Sequence, residues 1–443
     1  MTSNSTEPKI KIGIIDRRNK VSGRFNRPFT CDGLVLNGEF HATVENGTII
    51  LQTEEGEIRG TAIHCSHDEG STFTLRNVII GIKFHWEREE DQTFEGDLVL
   101  VARDDATMAA INEVSVEDYL ASVISSEMSA EAPMELLKAH AITSRSWLLA
   151  MLEREKREQH TGSSSQRTIQ REGELIRWYD REDHDLFDVC ADDHCQRYQG
   201  ITKMITPNAA SAVQQTRGVA LTYAGEICDA RFSKACGGFS ENFENAWEDK
   251  AVPYLRSMCD SDIAHSVIRS EQDAERWILS QPEAYCSTTD GNVLRQLLPS
   301  FDQETTDFFR WTVKYDREEL ENIIRSKSGM DFGTLLGMTP IARGPSGRII
   351  KLKIQGSKKT LIIGKELEIR RWLSKSHLYS SAFVVKTEND RQGIPVRFIL
   401  HGAGWGHGVG LCQIGAAIMA RNGFAAEQIG LHYFRGAKLE QLY

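Results

Sequence analysis

The stretch Ile111–Met128, INEVSVEDYLASVISSEM, holds a change of period that decides the fold class. Before Ser115 the chain reads in short β-branched runs. KIKIGII from Lys9, GLVLNG from Gly33, GTIILQT from Gly47 and GDLVLVA from Gly96 are separated by Gly, Asn and Asp, so residues 10 to about 112 are expected to be β-rich. From Ser115 onward the apolar spacing becomes helical. Leu120, Val123, Ile124 and Glu127 fall on one face, and a carboxylate thus closes an apolar stripe.

A second, longer helix is expected from APMELLKAHAITSRSWLLAMLEREKRE. Pro133 suits a first-turn position, and Leu137, Ala141, Ser144 and Leu148 form its stripe. Residues 153–176 lose the pattern and read as a helix end followed by a mobile polar loop. Residues 205–221 look helical, and GVALTYAGEICDARFSKACGGFS reads as strands with a Gly-Gly turn. DAERWILS, REELENIIRS, RIIKLKIQG and KTLIIGKELEIRRWL supply further helices and strands between 261 and 400. The expected fold class is α+β: a mixed sheet with packed helices plus an inserted second α/β lobe. The domain reading is a β-rich region over 1–100, a core over 101–260 and 376–443, and the inserted lobe over 261–375.

Bulk properties narrow the function. The 443 residues are 40% apolar, enough for a large core, and the formal net charge of -11 argues against a nucleic-acid partner. No run approaches the length of a transmembrane helix, and the first residues show no basic region followed by an apolar stretch, so no signal peptide is visible. Nine scattered cysteines do not read as a small disulfide framework. Cys236 and Cys259 could pair in an exported protein.

Near the C-terminus, HGAGWGHGVGLCQIGA places glycine at 402, 404, 406, 408 and 410. A phosphate cradle is excluded, because a dinucleotide fingerprint would need glycine at 407, which is His, and no Gly-Lys-Ser/Thr follows. If the segment is extended, His401, Ala403, Trp405, His407 and Val409 share one face and the other is bare backbone open to close approach. A sugar ring suits such a surface, since indole offers a flat apolar face and imidazole offers hydrogen bonds. A tightly packed glycine strand with Trp405 as core satisfies the same spacing. For Glu127, partial desolvation favours the neutral acid and hence general-acid chemistry, while a carboxylate that reaches solvent or pairs with Lys138 or Arg145 would be an ordinary helix-end residue. HDLFDVCADDHCQRYQG brings together His184, Cys190, His194 and Cys195, the thiolates and imidazoles that Zn²⁺ favours. A Cys190–Cys195 disulfide or two buried thiols fit that spacing as well.

The segments INEVSVEDYLASVISSEMSAEAPMELLKAHAITSRSWLLA and HGAGWGHGVGLCQIGAAIMARNGFAAEQIGLHYFRGAKLEQL resemble the SpoIID/LytB family, as do FEGDLVLV and YAGEICDARFSKACGGFSENFENAWEDKAVPYL. The likeness covers about 100–260 and 375–443. Ser129, His140, Cys236, Cys412 and Ile414 depart from the family's usual residues. The resemblance implies a lytic transglycosylase acting on peptidoglycan glycan strands, with Glu127 as general acid and base. It implies a substrate groove holding Arg145, Lys138, Trp405, His407, Gln413 and His401, and work in the cell envelope. A non-catalytic amidase enhancer, with a cell-wall amidase as partner, is the alternative it offers. Cys/His elements in some relatives hold zinc, so a structural zinc on the 184–195 element is expected, and no cofactor is required for the chemistry.

Overall fold

The computed structural model describes residues 6–82, 87–129, 131–161, 168–178, 184–204, 206–298 and 305–443. It is an α+β protein, as the sequence implies. The chain divides into two compact units. One comprises Met1–Ala132, Arg181–Val219 and Gln441–Tyr443; the other comprises Pro133–Asp180 and Ala220–Glu440.

The first unit is built on a large mixed sheet. Its strands run, in spatial order, Val189–Cys190, Lys9–Arg18, Met108–Ser115, Asp97–Ala102, Ala62–His67, Lys20–Cys31, Leu34–Glu45, Thr48–Thr53 and Gly56–Gly60. Thr72–Ile80 pairs with Lys20–Cys31, and Arg88–Glu95 pairs in turn with Thr72–Ile80. Pairing is antiparallel except where Val189–Cys190 runs parallel to Lys9–Arg18, with Ile12 opposite Val189 and Gly13 opposite Cys190. A Cβ on Gly13 would lie 2.5 Å from the Phe187 ring, so glycine lets that edge close. A chain of rings fills the core, from Phe40 and Phe25 through Phe29, Phe73, Phe94 and Tyr198 to Tyr119. The chain runs from the strands to the helix that carries Tyr119, held by area burial and favourable ring geometry.

The predicted helix forms where the period changes. Helix α1 spans Val116–Glu127, and Ser115 caps it by accepting from the Asp118 amide, with Glu117 and Asp118 in the first turn. Leu120, Val123 and Ile124 of the stripe read from the sequence are fully buried, as is Tyr119 beside them.

In the second unit, helix α2 (Met134–Thr161) begins directly after Pro133. It is longer than expected. The stretch read as a polar loop instead extends α2 to Thr161 and then forms the hairpin Thr168–Arg171 with Glu174–Arg177; residues 162–167 lie outside the described residues. Gly173, at φ +73°, makes that turn, and Leu175 and Ile176 are buried against the strand Thr360–Gly364. The helix expected over 205–221, part of the first unit, is confined to Asn208–Gln215, because Gly218 at φ +67° breaks it and the strand Val219–Tyr223 follows. Two sheets carry much of the second unit. One orders Thr168–Arg171, Glu174–Arg177, Thr360–Gly364, Ile349–Gly356 and Leu335–Arg343; the other orders Arg310–Asp316, Pro395–Ala403 and Phe383–Asn389. Their core includes Trp311, Leu320, Ile324, Leu352, Ile354 and Trp372. The helix Glu271–Leu279 lays Ala274, Trp277 and Ile278 against Val384 and Ala403. The helix Gln413–Arg421 stops at Asn422 and Gly423, the latter at φ +90°, where the sequence places its end.

Candidate functional site

Glu127 is the last residue of α1. The next residue, Met128, turns to extended backbone while its N–H still bonds the Ile124 carbonyl, so the carboxylate leaves the helix at a fixed point. It is buried, at 8% exposure. The Arg197 main-chain N–H donates to Oε1 at 3.3 Å. Among the described residues Glu127 forms no ion pair, and its second oxygen takes no hydrogen bond.

The segment around Arg197 is sewn along α1. Tyr119 Oη donates to Gln196 Oε1 at 3.2 Å, the Gln199 amide donates to Ser122 Oγ at 3.2 Å, and Arg197 Nη1 donates to the Ser126 carbonyl at 3.4 Å. Asp193 holds the Arg197 guanidinium, Nη2 to Oδ1 at 2.5 Å. Arg197 and Asp193 were not singled out in the sequence. Their signal, an i,i+4 Asp–Arg pair inside the Cys/His element, is visible only once that element is known to flank Glu127.

The Cys/His element itself closes on one point. The ligand atoms of His184, Cys190, His194 and Cys195 all lie within 4.8 Å of one another, and each residue is half-buried. His184 Nε2 is 3.4 Å from Cys195 Sγ, and His194 Nδ1 is 3.6 Å from Cys195 Sγ and 3.9 Å from Cys190 Sγ. A tetrahedral zinc with bonds of 2.0–2.3 Å would set such atoms roughly 3.5 Å apart, so the donor set and its spacing fit that ion. Cys195, and after it the two histidines, draw the Cys190 thiol far below its usual range by hydrogen bonding. The sheet edge anchors the element: the Asp188 amide donates to the Lys11 carbonyl, and the Ala191 amide to Gly13.

In the second unit the glycine ladder is not an extended strand beyond Ala403. Gly404, Gly406, Gly408 and Gly410 all have positive φ, between 74° and 92°. Only glycine adopts this conformation without strain, which explains the spacing of two in a way that strand alternation does not. The expected face shared by Trp405, His407 and Val409 is therefore absent. Gly402, still in the strand, would place a Cβ 2.0 Å from the Trp311 ring. The ladder backbone is claimed by neighbours. The Trp405 amide donates to Ala235 O at 2.7 Å, the Gly406 amide to Tyr379 O at 2.7 Å, and buried Arg348 donates through Nη2 to Gly406 O at 3.0 Å.

The remaining candidates take distinct places in this unit. Trp405 is half-buried, stacked on Tyr379 with ring centroids 4.0 Å apart and tilted against Phe308. His407 meets the Trp247 ring edge-on at 4.9 Å, beneath which Arg231 sits 4.2 Å from the Trp247 centroid. Its Nδ1 accepts from the Val409 amide at 3.0 Å, and the surrounding protein, by burial first and then by Arg231, holds it well below the usual histidine range. His401, on the strand, bonds Thr312 Oγ1 through Nδ1 at 3.1 Å. Lys138 donates to Glu135 at 2.8 Å. Arg145 is fully buried in α2. Gln413 is 2% exposed, with its amide nitrogen 3.0 Å from His140 Nε2. The structure thus joins Gln413 to His140 but separates Trp405, His407 and His401 into three local groups. None of the nine cysteines forms a disulfide; Cys259 donates to the Ile263 carbonyl, while Cys236 lies beside Cys286 at 3.6 Å.

Comparison with known proteins matches two separate stretches of the chain. Residues 104–223 match the family model described as Stage II sporulation protein, which takes in Glu127 and the Cys/His element. Residues 241–410 match a domain of unknown function (DUF8618), which takes in most of the ladder. An uncharacterized protein of Brachyspira hyodysenteriae is 26% identical over 97% of this chain and 92% of its own length. The Stage II sporulation protein D of Bacillus amyloliquefaciens is 24% identical over 75% of this chain and 76% of its own. The amidase enhancer of Bacillus subtilis is 25% identical over 52% of this chain and 32% of its own. The domain match over Glu127, the sporulation-protein and amidase-enhancer relatives and the motifs at both ends of the chain together support an assignment to the SpoIID/LytB family.

Proposed function

We propose that the protein is a lytic transglycosylase that cleaves peptidoglycan glycan strands, with Glu127 as its acid and base. A cell-wall-related role is the part of this reading that the relatives support. The specific chemistry rests on one observation: a buried carboxylate at a helix end, fixed through one oxygen by the Arg197 amide, with the other oxygen taking no hydrogen bond among the described residues.

In this reading protonated Glu127 donates to the β-1,4 glycosidic oxygen between N-acetylmuramic acid and N-acetylglucosamine. Positive charge develops at the muramyl C1 as the C1–O bond breaks. The muramyl C6 hydroxyl attacks C1, and the Glu127 carboxylate takes its proton. The product carries a 1,6-anhydro ring, and Glu127 ends as it began. One carboxyl suffices because the nucleophile belongs to the substrate and acts at high effective concentration. The Arg197 amide positions Oε1, and Asp193 holds Arg197 in turn. In the second unit, the half-exposed Trp405 and His401 are the ladder side chains suited to a sugar face and its hydroxyls.

His184, Cys190, His194 and Cys195 are proposed to hold a zinc ion that fixes the 184–199 segment along α1. Four protein ligands complete a tetrahedron and leave no open position for substrate, so the ion's role in this reading is structural. Metal analysis of the purified chain tests it: a Cys190→Ser/Cys195→Ser variant should lose one equivalent that the wild-type chain carries, and a wild-type chain with less than about a tenth of an equivalent would remove the proposal.

The amidase-enhancer relative favours a second reading, in which the protein binds the wall and stimulates an amidase without cleaving glycan. Incubating purified glycan strands with wild-type protein and Glu127→Gln separates the two. Cleavage by the wild type alone supports the enzyme. No cleavage by either, with equal stimulation of an amidase by both, supports the enhancer.

A further inference from the structure

A second group of metal-ligand side chains lies in the other unit, far more deeply buried than the first. Cys236, Asp260, Cys286 and Cys412 are all buried, and their Sγ and carboxylate atoms lie within 4.8 Å of one another. Cys236 Sγ is 3.6 Å from Cys286 Sγ and 3.1 Å from Asp260 Oδ2. Zinc–sulfur bonds of 2.3 Å in a tetrahedron put two sulfurs about 3.8 Å apart, and sulfur and oxygen about 3.5 Å apart. The spacing matches one mononuclear ion.

The surroundings are those of thiolates. The Cys236 amide and the Gly415 amide each donate to Cys412 Sγ at 3.3 Å, and the Gly238 amide donates to Cys236 Sγ at 3.3 Å. Cys412 is the N-cap of the helix Gln413–Arg421, so the helix end also favours negative charge on its sulfur. Asp260 is turned toward the sulfurs by His432, whose Nε2 lies 3.2 Å from Oδ1 and leaves Oδ2 facing inward. Gly415 has no side chain where one would obstruct: a Cβ there would stand 2.5 Å from Asp260 Oδ2 and 3.2 Å from Cys412 Sγ. Four segments far apart in sequence, the outermost separated by 176 residues, converge on this point.

We propose that Cys236, Asp260, Cys286 and Cys412 form a closed structural zinc site that ties these four segments together. It is independent of the cluster at His184–Cys195 and of any catalytic role for Glu127. With no open coordination position, the ion serves the fold, and its binding free energy adds to that of folding.

The test uses the full chain carrying Cys190→Ser and Cys195→Ser, so that the first cluster cannot contribute. Expected is one equivalent of zinc per chain, and on exchange with Co²⁺ the visible bands and thiolate charge-transfer absorption of a tetrahedral cobalt thiolate. Adding Cys286→Ser should abolish both. Less than about a tenth of an equivalent in the folded double variant overturns the proposal, as does a Cys236–Cys286 disulfide found in it by mass spectrometry. Should the double variant not fold, Cys286→Ser in the wild-type chain reads the same site: a count lower by one equivalent supports the inference, and an unchanged count overturns it. Zinc lost with Cys190 and Cys195 but kept at this site, or the reverse, distinguishes failure of one reading from failure of the other.

Discussion

The end of α1 and the glycine ladder are both places where the chain leaves a regular element at a charged or aromatic side chain, yet they are built on opposite principles. At Glu127 the backbone is ordinary, and the side chain is held by a neighbouring amide in a buried position. In the ladder the side chains pack in separate local groups, and the backbone is unusual, with four glycines at positive φ, of which Gly404 and Gly406 have both amide and carbonyl taken by neighbours including Arg348. One region is specified by what its residues carry, the other by what its residues lack. Chemistry is expected to be sensitive to the first and stability to the second.

The sharpest contrast comes from Glu127→Gln. The swap keeps size and removes the proton, so glycan cleavage should fall by roughly 10²–10⁴, equivalent to about 3–5 kcal/mol of barrier, with little change in thermal unfolding. A variant that retains activity, or one that loses activity and unfolds together, would erase the distinction between the two regions.

Acid should instead attack the second unit. Burial, with Lys234 nearby, drives His140 down from its ordinary 6.5 to about 3, and His407 is held well below its ordinary range. The folded chain therefore refuses protons that the unfolded chain accepts. The stability His140 contributes is whole above about pH 6.5 and drains away as the pH falls toward about 3, by at most about 1.4 kcal/mol per pH unit, and acid acts on His407 in the same direction. The hydrogen-bond network assigns Nε2 of His140 as acceptor from Gln413 and Nδ1–H as donor to Ser144, so protonation also sets a donor against a donor. Denaturant unfolding of wild type and His140→Gln at pH 7 and pH 4.5 should show a smaller acid loss in the variant. Equal losses would remove His140 from the account.

Smaller effects separate two costs within the glycines themselves. Gly410→Ala meets both a positive φ of 74° and a Cβ 2.1 Å from the Arg231 carbonyl, whereas Gly423→Ala meets a φ of 90° with nothing within 4 Å. The second should cost about 1–2 kcal/mol from backbone strain alone, and the first about 1–3 kcal/mol more from the clash. Equal losses in thermal unfolding would mean that the ladder is not closely packed.

Legibility in the sequence follows the same divide. The change of period at Ser115, the cap, Pro133 before α2 and the end at Gly423 rest on local signals, and the structure has them where the residues point. So do four of the β-runs of the first unit. The ladder was not legible, because glycine every second residue satisfies extended backbone and repeated left-handed turns alike, and only the partners of the backbone choose between them. The 205–221 segment reads as one helix because Gly218 carries no mark of its positive φ. The Cys/His element is visible because its four metal-ligand-type side chains lie within twelve residues of sequence, His184 to Cys195. The Cys236, Asp260, Cys286 and Cys412 group was not, since no spacing rule spans its segments; two of its members, Cys236 and Cys412, had stood out only as departures from the family pattern.

The claim on which the functional reading turns is that one carboxyl, with no attacking water, opens the glycan. Purified glycan strands digested by the full-length protein and weighed by mass spectrometry address it directly. The account predicts new muramyl ends lighter by one water than hydrolysed ends, formed by wild type and not by Glu127→Gln. Hydrolysed ends, or anhydro ends formed equally by the variant, would contradict it.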